Sequence, residues 1–283
     1  SWVQQSLAPH LRALFDRPPR GLLWCPHGAL RFVPHHALFG TIPVWRTPSL
    51  AMSPPVTLRT RSEHTTVVIA SPAEQSVGDG VIDTAAALAP AQPTGRLLVA
   101  AGDRHGPSVH PRAEQLPVDA RTVLEECDRA STIVVLAHGH ASSPDAAWLH
   151  LLHPDGTEDR LDTDRLSRDP RALAGLRIIL LSCEAGRTGD VVHQPGGIAG
   201  TLLTAGAKEV IAPLWPVRAQ AAVEVARSVL DGLKRGRPAA VSLAHFKPRR
   251  TAETSDPDLG GRPSKQAKAA ARWDAPAFVV FVS

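Results

Sequence analysis

The sequence contains few cysteines, and this scarcity excludes two kinds of structural site. Only Cys25, Cys127 and Cys183 occur in 283 residues. Three scattered thiols cannot build a disulfide framework, and they do not have the spacing of a structural zinc site. An odd number of cysteines in a chain of this size points to a reducing compartment. We therefore predict a cytoplasmic protein with neither a disulfide framework nor a structural zinc site.

Long apolar runs and clustered basic charge are also missing. No stretch reaches the roughly 20 apolar residues that a bilayer-spanning helix requires, and residues 1–25 lack the layout of a signal peptide. The net charge is +4, and basic residues are spread out except near the C-terminus. No basic stripe is interleaved with aromatic side chains in the manner of a nucleic-acid site. We predict neither a membrane nor a directly bound nucleic acid as partner.

Methionine is almost absent, which bears on the boundaries of the chain. The only methionine is Met52 and the first residue is Ser1, so we expect a piece of a longer protein. A hydrophobic content of 43% is ample for one large α/β domain. The predicted organisation is a single domain over 1–283, in which an N-terminal region over 1–117 precedes a catalytic core over 118–283 with a polar loop at 247–268.

Apolar runs bounded by turn residues alternate with amphipathic segments along the chain. The runs predict buried strands, and their alternation with helices favours a mostly parallel sheet covered on both faces. The predicted strands are 21–25, 65–70, 97–101, 132–137, 177–182, 209–212 and 277–282. The predicted helices are 1–15, 81–88, 118–129, 162–176, 200–205 and 219–233. Residues 34–60, 102–117 and 188–197 are predicted to be irregular.

Two of the predicted strands end in a reactive side chain. The run 132–137 is followed by His138, and the run 177–182 is followed by Cys183. Because neighbouring parallel strands place their carboxyl ends at one edge of a sheet, we expect the imidazole and the thiol to meet there. A thiol beside an imidazole is a nucleophile beside a base. Gly139, which has no Cβ, would let its backbone N–H approach a reacting carbonyl and hold the oxyanion.

Spacing and local motifs then lead to a family resemblance. Cys183 follows His138 by 45 residues (138 to 183), and caspases place their histidine about 50 residues before their cysteine. The segments LAHG, LSCEAG, LLTAGA and LWPV resemble, in this order, the signature blocks of the bacterial CHAT domain, at residues 136–139, 181–186, 202–207 and 214–217. Residues 21–34 and 273–279 are similar to its opening and closing segments. The family consists of caspase-like cysteine peptidases related to separase.

The resemblance implies a fold, a chemistry and a setting. The implied fold is a caspase–haemoglobinase-like three-layer α/β sandwich with a mostly parallel sheet and helices on both faces. The implied activity is cleavage of a specific protein substrate without metal or cofactor, with His138 as base, Cys183 as nucleophile and Gly139 as oxyanion donor. Relatives often follow a sensor region and act in bacterial signalling or defence. We therefore expect an upstream sensor domain or regulatory partner outside this chain.

The substrate pocket is expected to depart from that of basic-specific relatives. Such relatives commonly carry an acidic residue just after the Trp-x-Val block, whereas this chain has Arg218 and Ala219 after Val217. A guanidinium opposes a basic substrate residue by like-charge repulsion, so we predict no preference for cleavage after Arg or Lys and favour small apolar or acidic residues. Glu184 is a further pocket candidate. Trp215 fits either a pocket wall or the core.

Several other interpretations are open. A catalytically silent module of the same family, serving as a signalling scaffold, is the leading alternative, and a small-molecule thiol hydrolase or acyltransferase is a third. Cys25 and Cys127 are assigned to packing, although Cys25 and His27 form a rival pair by proximity alone. We reject that pair because Pro26 intervenes. The four histidines His138, His140, His150 and His153 could suggest a metal cluster, but no carboxylate completes a recognised ligand spacing.

Overall fold

We determined the architecture from a computed structural model of the chain. The structure describes residues 8–13, 15, 17, 19–27, 30–31, 33, 35–47, 65–71, 88, 96–100, 113–116, 118–143, 146–153, 157–182, 185, 190–191, 194–195, 197–217, 219–246 and 278–282. Cys183, Glu184, Arg218 and the predicted polar loop 247–268 lie outside the described residues.

The strands of the described residues fall into three sheets. In chain order they are β1 (Leu22–Trp24), β2 (Val44–Arg46), β3 (Thr66–Ser71), β4 (Arg96–Ala100), β5 (Ala113–Leu116), β6 (Thr132–Ala137), β7 (Gly139–Ser143), β8 (Ala146–Leu152), β9 (Glu158–Asp162), β10 (Arg177–Leu180), β11 (Asp190–Val191), β12 (Gln194–Pro195), β13 (Glu209–Pro213) and β14 (Phe278–Val282). The main sheet has the order β1-β2-β14-β13-β10-β6-β3-β4-β5, while β7-β8-β9 and β11-β12 form two small antiparallel sheets.

The helices flank the main sheet. They are α1 (Ala8–Ala13), α2 (His35–Phe39), α3 (Ala120–Arg129), α4 (Thr163–Arg168), α5 (Pro170–Leu173), α6 (Gly197–Thr204), α7 (Ala219–Lys234) and α8 (Ala239–Ala244). None of the described helices combines the length and the apolar composition that a bilayer crossing requires.

The main sheet is mostly parallel, as predicted. Every described pair of neighbouring strands in it is parallel except β13 and β14. The strands from β13 to β5 therefore run in one direction, and β14, β2 and β1 run in the opposite direction. This reversal divides the sheet into a six-stranded block that contains β6 and β10 and a smaller three-stranded block.

Alternate residues of the central strands enter two separate apolar cores. Ile133 and Val135 pack in the core that includes α3 and α6, whereas Val134 packs in the core that includes α7 and α8. These side chains are 0–2% exposed, so each contributes roughly 1.5–3 kcal/mol of transfer free energy. Burial on both faces explains why the central strands are continuous apolar runs, and it confirms the three-layer arrangement with helices on both faces.

The segment between β6 and β10 differs from the prediction in two ways. The predicted helix 162–176 is divided into α4 and α5, because Asp162 and Asp169 each cap a new helix and Pro170 starts the second one. No strand was predicted between His138 and residue 162, where the structure has the antiparallel sheet β7-β8-β9. Its signal was the alternation in β8, where every second residue is buried.

Three segments predicted to be irregular also contain short regular elements. Residues 34–60 include α2 and β2, residues 102–117 include β5, and residues 188–197 include β11 and β12. The strands are two to four residues long, and such short strands depend on pairing with neighbours rather than on their own pattern. The short helix α8 was also missed, since 239–244 has too few residues to show a helical period.

Candidate active site

The C-terminal ends of β6, β10 and β13 form one edge of the main sheet. Arg177 pairs with Thr132 on one side and with Glu209 on the other. The pairing continues along the strands, and the Leu181 amide donates to the Val135 carbonyl at 2.8 Å. In sequence, six positions beyond the row of Thr132, Arg177 and Glu209 are positions 138, 183 and 215. The described register therefore brings the C-terminal ends of these three strands to one edge of the sheet, and the predicted site residues follow them in the sequence.

His138 lies where β6 passes into β7. Its side chain is exposed, while Ala137 before it is partly buried against the first core. The His138 carbonyl accepts a hydrogen bond from the His150 amide at 2.8 Å. The backbone of the predicted base is therefore fixed by β8, while its imidazole is accessible at the edge of the sheet.

Gly139 is the first residue of β7, and the register determines the direction of its amide. Gly139 is opposite Leu149 in the antiparallel ladder, and the His150 amide bonds to the His138 carbonyl. Hydrogen-bonded and non-hydrogen-bonded pairs alternate in such a ladder, so Gly139 and Leu149 form a non-hydrogen-bonded pair. The Gly139 N–H consequently points away from β8. This N–H is therefore not used in the β7–β8 ladder.

Ser182 and Ala185, which precede and follow the undescribed pair Cys183 and Glu184, are described. Ser182 is fully buried, Ala185 is 3% exposed, and the Ala185 amide donates to the Ser182 carbonyl at 3.3 Å. The chain just after β10 is therefore held in place at Ser182 and at Ala185. The buried hydroxyls of Ser182 and Ser71 find no hydrogen-bond partner among the described residues.

The structure describes two of the four pocket candidates, Trp215 and Ala219. Trp215 is partly buried just beyond β13 and packs against both apolar cores, so it covers the edge of the sheet between them. Ala219 is the first residue of α7. Glu184 and Arg218 lie outside the described residues, and their pocket roles stay predictions.

The histidines near the site have separate partners. The His140 ring stacks on Trp148 with centroids 4.3 Å apart, and His150 Nε2 lies 2.7 Å from Glu158 Oε1. His153 Nδ1 lies 3.6 Å from Asp119 Oδ2. Within the described segments of the chain, no three His, Cys, Asp or Glu residues come together in a way that could hold a metal ion.

Sequence reasoning missed two acidic groups that organise this region. The pKa of Glu158 is lowered by its hydrogen bond from Arg160 and then by that from His150. Burial acts to raise the pKa of Asp159, but hydrogen bonds from the Ala120 and Arg160 amides and from the Arg165 guanidinium outweigh it, so the pKa of Asp159 is lowered. Asp159 thereby joins β9 to the N-terminus of α3. Its position in β9, opposite the buried face of β8, could have indicated this role.

The other two cysteines, Cys127 and Cys25, do not lie at this edge of the sheet. Cys127 is 4% exposed in the first core, in agreement with a packing role. Cys25 Sγ lies 3.7 Å from His27 Nε2, so the argument that Pro26 keeps these two side chains apart is wrong. Since β1 runs opposite to β6, however, the pair lies at the other end of the sheet.

Comparison with solved structures shows where else this fold occurs. The chain is similar to separase of Saccharomyces cerevisiae in two structures of the separase–securin complex, with TM-scores of 0.51 and 0.50, 13% and 12% identity, and 89% of this chain covered. It spans 15% and 14% of the separase chains. It also matches the Arg-specific cysteine proteinase gingipain R (RgpB) of Porphyromonas gingivalis, with a TM-score of 0.47, 10% identity, and 86% of this chain and 54% of that chain covered.

Comparison by sequence gives one family and no individual relative. No curated protein sequence matches the chain significantly. The family pattern described as "CHAT domain" matches residues 2–279. The match covers nearly the whole chain, and the separase structures share the same mostly parallel α/β architecture. The chain therefore belongs to the CHAT domain family and has the fold of a caspase-like cysteine peptidase.

Proposed function

We propose that this chain is a cysteine endopeptidase in which Cys183 and His138 cleave a specific protein substrate. The observation that supports the proposal most strongly is the common register of β6, β10 and β13, which brings the C-terminal ends of these three strands to the edge of the sheet that precedes positions 138, 183 and 215 in the sequence. The outward-pointing Gly139 amide is a second, independent support. Members of one fold can differ in activity, so the proposal depends on these site features rather than on the fold alone.

The reaction would proceed in two stages with balanced proton transfers. His138 takes the proton of the Cys183 thiol as the sulfur attacks the substrate carbonyl carbon, and the carbonyl π electrons move to the oxygen. The Gly139 and Cys183 amides would donate to this oxyanion. When the tetrahedral species collapses, the C–N bond breaks and His138 returns the proton to the departing amine. Water, deprotonated by His138, then attacks the thioester and releases the acid and the thiol.

The accessible His138 side chain suits this role because a general base has to reach both the thiol and the leaving group. General acid–base catalysis of this kind contributes about 100-fold to 10,000-fold in rate. The bond from the His150 amide to the His138 carbonyl fixes the backbone while leaving the ring free to exchange protons between these groups.

Substrate choice would depend on the residues beyond β13. Trp215 offers an apolar surface at the edge of the sheet, and Arg218 follows it by three residues. Small apolar or acidic substrate residues fit this combination, and basic residues do not. The activity would belong to the effector region of a cytoplasmic bacterial signalling or defence protein, controlled by a sensor domain or partner outside this chain.

The test is cleavage of a positional peptide library and of proteins encoded beside this one, with new N-termini identified by mass spectrometry. Wild type and Cys127→Ala should give the same cleavage pattern, because Cys127 is buried in the first core. Cys183→Ala should lose it. Cleavage that survives in Cys183→Ala would refute the assigned nucleophile. If Cys183 of the wild type reacts with an electrophilic peptide, but neither the peptide library nor the proteins encoded beside this one are cleaved, the result supports the silent-scaffold alternative instead.

A further inference from the structure

A second thiol–imidazole pair lies at the end of β1. Cys25 Sγ is 3.7 Å from His27 Nε2, which is within hydrogen-bond distance for sulfur. His27 is exposed and Cys25 is partly exposed, so both groups are accessible to a small reactant. The nitrogen that faces the sulfur can accept the thiol proton when the ring carries its own proton on Nδ1.

The backbone around the pair is held in place by hydrogen bonds. The Trp24 carbonyl accepts from the Thr47 amide at 3.0 Å, and the His27 carbonyl accepts from the Leu30 amide at 3.2 Å. Between them, the buried Pro26 has its carbonyl bonded to Arg31 Nε at 3.3 Å. Because these hydrogen bonds hold the backbone on both sides of Cys25 and of His27, they keep the thiol close to the imidazole.

A buried cation supports the same loop. Arg46 is opposite Trp24 in the β1–β2 pair and is 1% exposed. Its Nη1 donates to the Arg31 carbonyl at 2.8 Å and its Nη2 donates to the Val33 carbonyl, while its buried Nε finds no partner among the described residues. Burial lowers the pKa of Arg46 to about 9. Arg46 therefore holds the backbone at Arg31 and Val33, just beyond the turn that carries the pair.

The pair is remote from the proposed catalytic residues. The strand pairings can be followed across the main sheet from β1 through β2, β14, β13 and β10 to β6, and they place Trp24 in the same row as Ile133. From that row the chain runs to Cys25 in one direction and along β6 to His138 in the other. At about 3.3 Å per residue, the two sites are roughly 20 Å apart along the strands, in addition to the width of the strands between them. Neither site can contribute a group to the other.

We propose that Cys25, assisted by His27, is a thiol modification site that exchanges with low-molecular-weight disulfides. The Cys25 sulfur attacks one sulfur of the disulfide, a new S–S bond forms and the original S–S bond breaks. The Cys25 proton passes to His27 Nε2 and then to the departing thiolate. Each mixed disulfide is thus formed with release of one thiol, and no further oxidant is needed.

The test uses the full chain with Cys183→Ala, so that its outcome does not depend on the proposed peptidase activity. The probes are 5,5′-dithiobis(2-nitrobenzoate) and the uncharged bis(2-hydroxyethyl) disulfide, with the modified cysteine identified by peptide mass spectrometry. Cys25 should react at least about tenfold faster than the buried Cys127. His27→Gln should lower the Cys25 rate constant about tenfold with both probes, because the amide cannot accept the proton.

The matched control is His245→Gln. His245 is also exposed, and its Nδ1 is 2.9 Å from the Val241 carbonyl rather than near a thiol. This variant should keep the Cys25 rate constant within about twofold of the parent. Equal Cys25 rates in His27→Gln and the parent would overturn the proposal, as would faster reaction at Cys127. Slow reaction of Cys127 with the probes shows in each variant that the fold is intact. If Cys127 becomes reactive in His27→Gln, His27→Asn serves as the second variant.

Discussion

The direction of the Gly139 amide leads to a sharp test of the oxyanion assignment. Replacing Gly139 with proline removes the N–H, and the register shows that this N–H is not used in the β7–β8 ladder. Proline is tolerated in an edge strand where the missing N–H faces away from the neighbouring strand. Gly139→Pro should therefore delete one oxyanion donor while the small sheet stays paired.

The expected magnitude follows from the role of a single donor. Loss of one oxyanion-hole hydrogen bond costs about 3 kcal/mol of transition-state stabilisation, or about 100-fold or more in rate. The assay compares kcat/KM on the best library peptide between wild type and Gly139→Pro. In parallel, Cys183 is alkylated with iodoacetamide, a displacement that develops no oxyanion. The peptide reaction should slow by that factor, and the alkylation rate should change by less than about threefold.

Ala141 provides the matched control. It is opposite Ala147, two residues further along β7 and immediately before the register shift that leads to Ser143, so the alternation of the ladder makes it a second non-hydrogen-bonded position whose N–H points away from β8. Ala141→Pro imposes the same backbone restriction without removing the proposed donor, and should retain peptide cleavage within about fivefold. The reasoning is refuted if Gly139→Pro keeps near-wild-type cleavage, or if Ala141→Pro loses as much activity as Gly139→Pro.

Three further predictions concern specificity, acid stability and the core. Arg218→Glu should move cleavage toward peptides with Arg or Lys at the scissile position, measured as a change of about tenfold or more in their relative kcat/KM, and an unchanged preference would remove Arg218 from the pocket. Because the pKa of Asp159 is lowered, its contribution to stability is complete above the unfolded value near 3.9 and is lost as pH falls through the folded value. Asp159→Asn should therefore lower the free energy of unfolding by about 1–3 kcal/mol at pH 7, with a smaller difference from wild type in urea titrations at pH 3; a constant difference would contradict the charge-based account. Ile133→Ala, at a fully buried position, should cost about 2–5 kcal/mol in the same titrations, and a loss below 1 kcal/mol would show that the core relaxes around it.

The sheet could be predicted from the sequence because its central strands are buried on both faces. Residues such as Val134 and Ile179 have no solvent-facing neighbours in their strands, and a continuous apolar run bounded by turns is the result. The amphipathic helices α3 and α7 were equally visible, since one side of each faces a core.

The elements that were missed depend on contacts far apart in sequence. The short strand β2 is stabilised by pairing with β1 and β14, and β5 by pairing with β4, so their own residues carry little pattern. The division between α4 and α5 was detectable in Asp169 and Pro170, a cap followed by a helix-starting proline, but the apolar period across 162–176 outweighed it.

The site was only partly predictable. The strand ends that lead to His138 and to position 183 follow from the apolar runs, and the structure gives these runs one register. The direction of the Gly139 amide and the contact between Cys25 and His27 could not be predicted. The first depends on which pairs of an antiparallel ladder are hydrogen-bonded, and the second depends on how a proline-containing turn orients its flanking side chains.

The most direct test is the rate at which a peptidyl acyloxymethyl ketone labels Cys183 in wild type and in His138→Gln. If the thiol is activated by an imidazole across the edge formed by β6 and β10, the second-order rate constant should fall about 100-fold or more in the variant. Equal labelling rates, with unchanged thermal unfolding, would contradict a working Cys183–His138 pair.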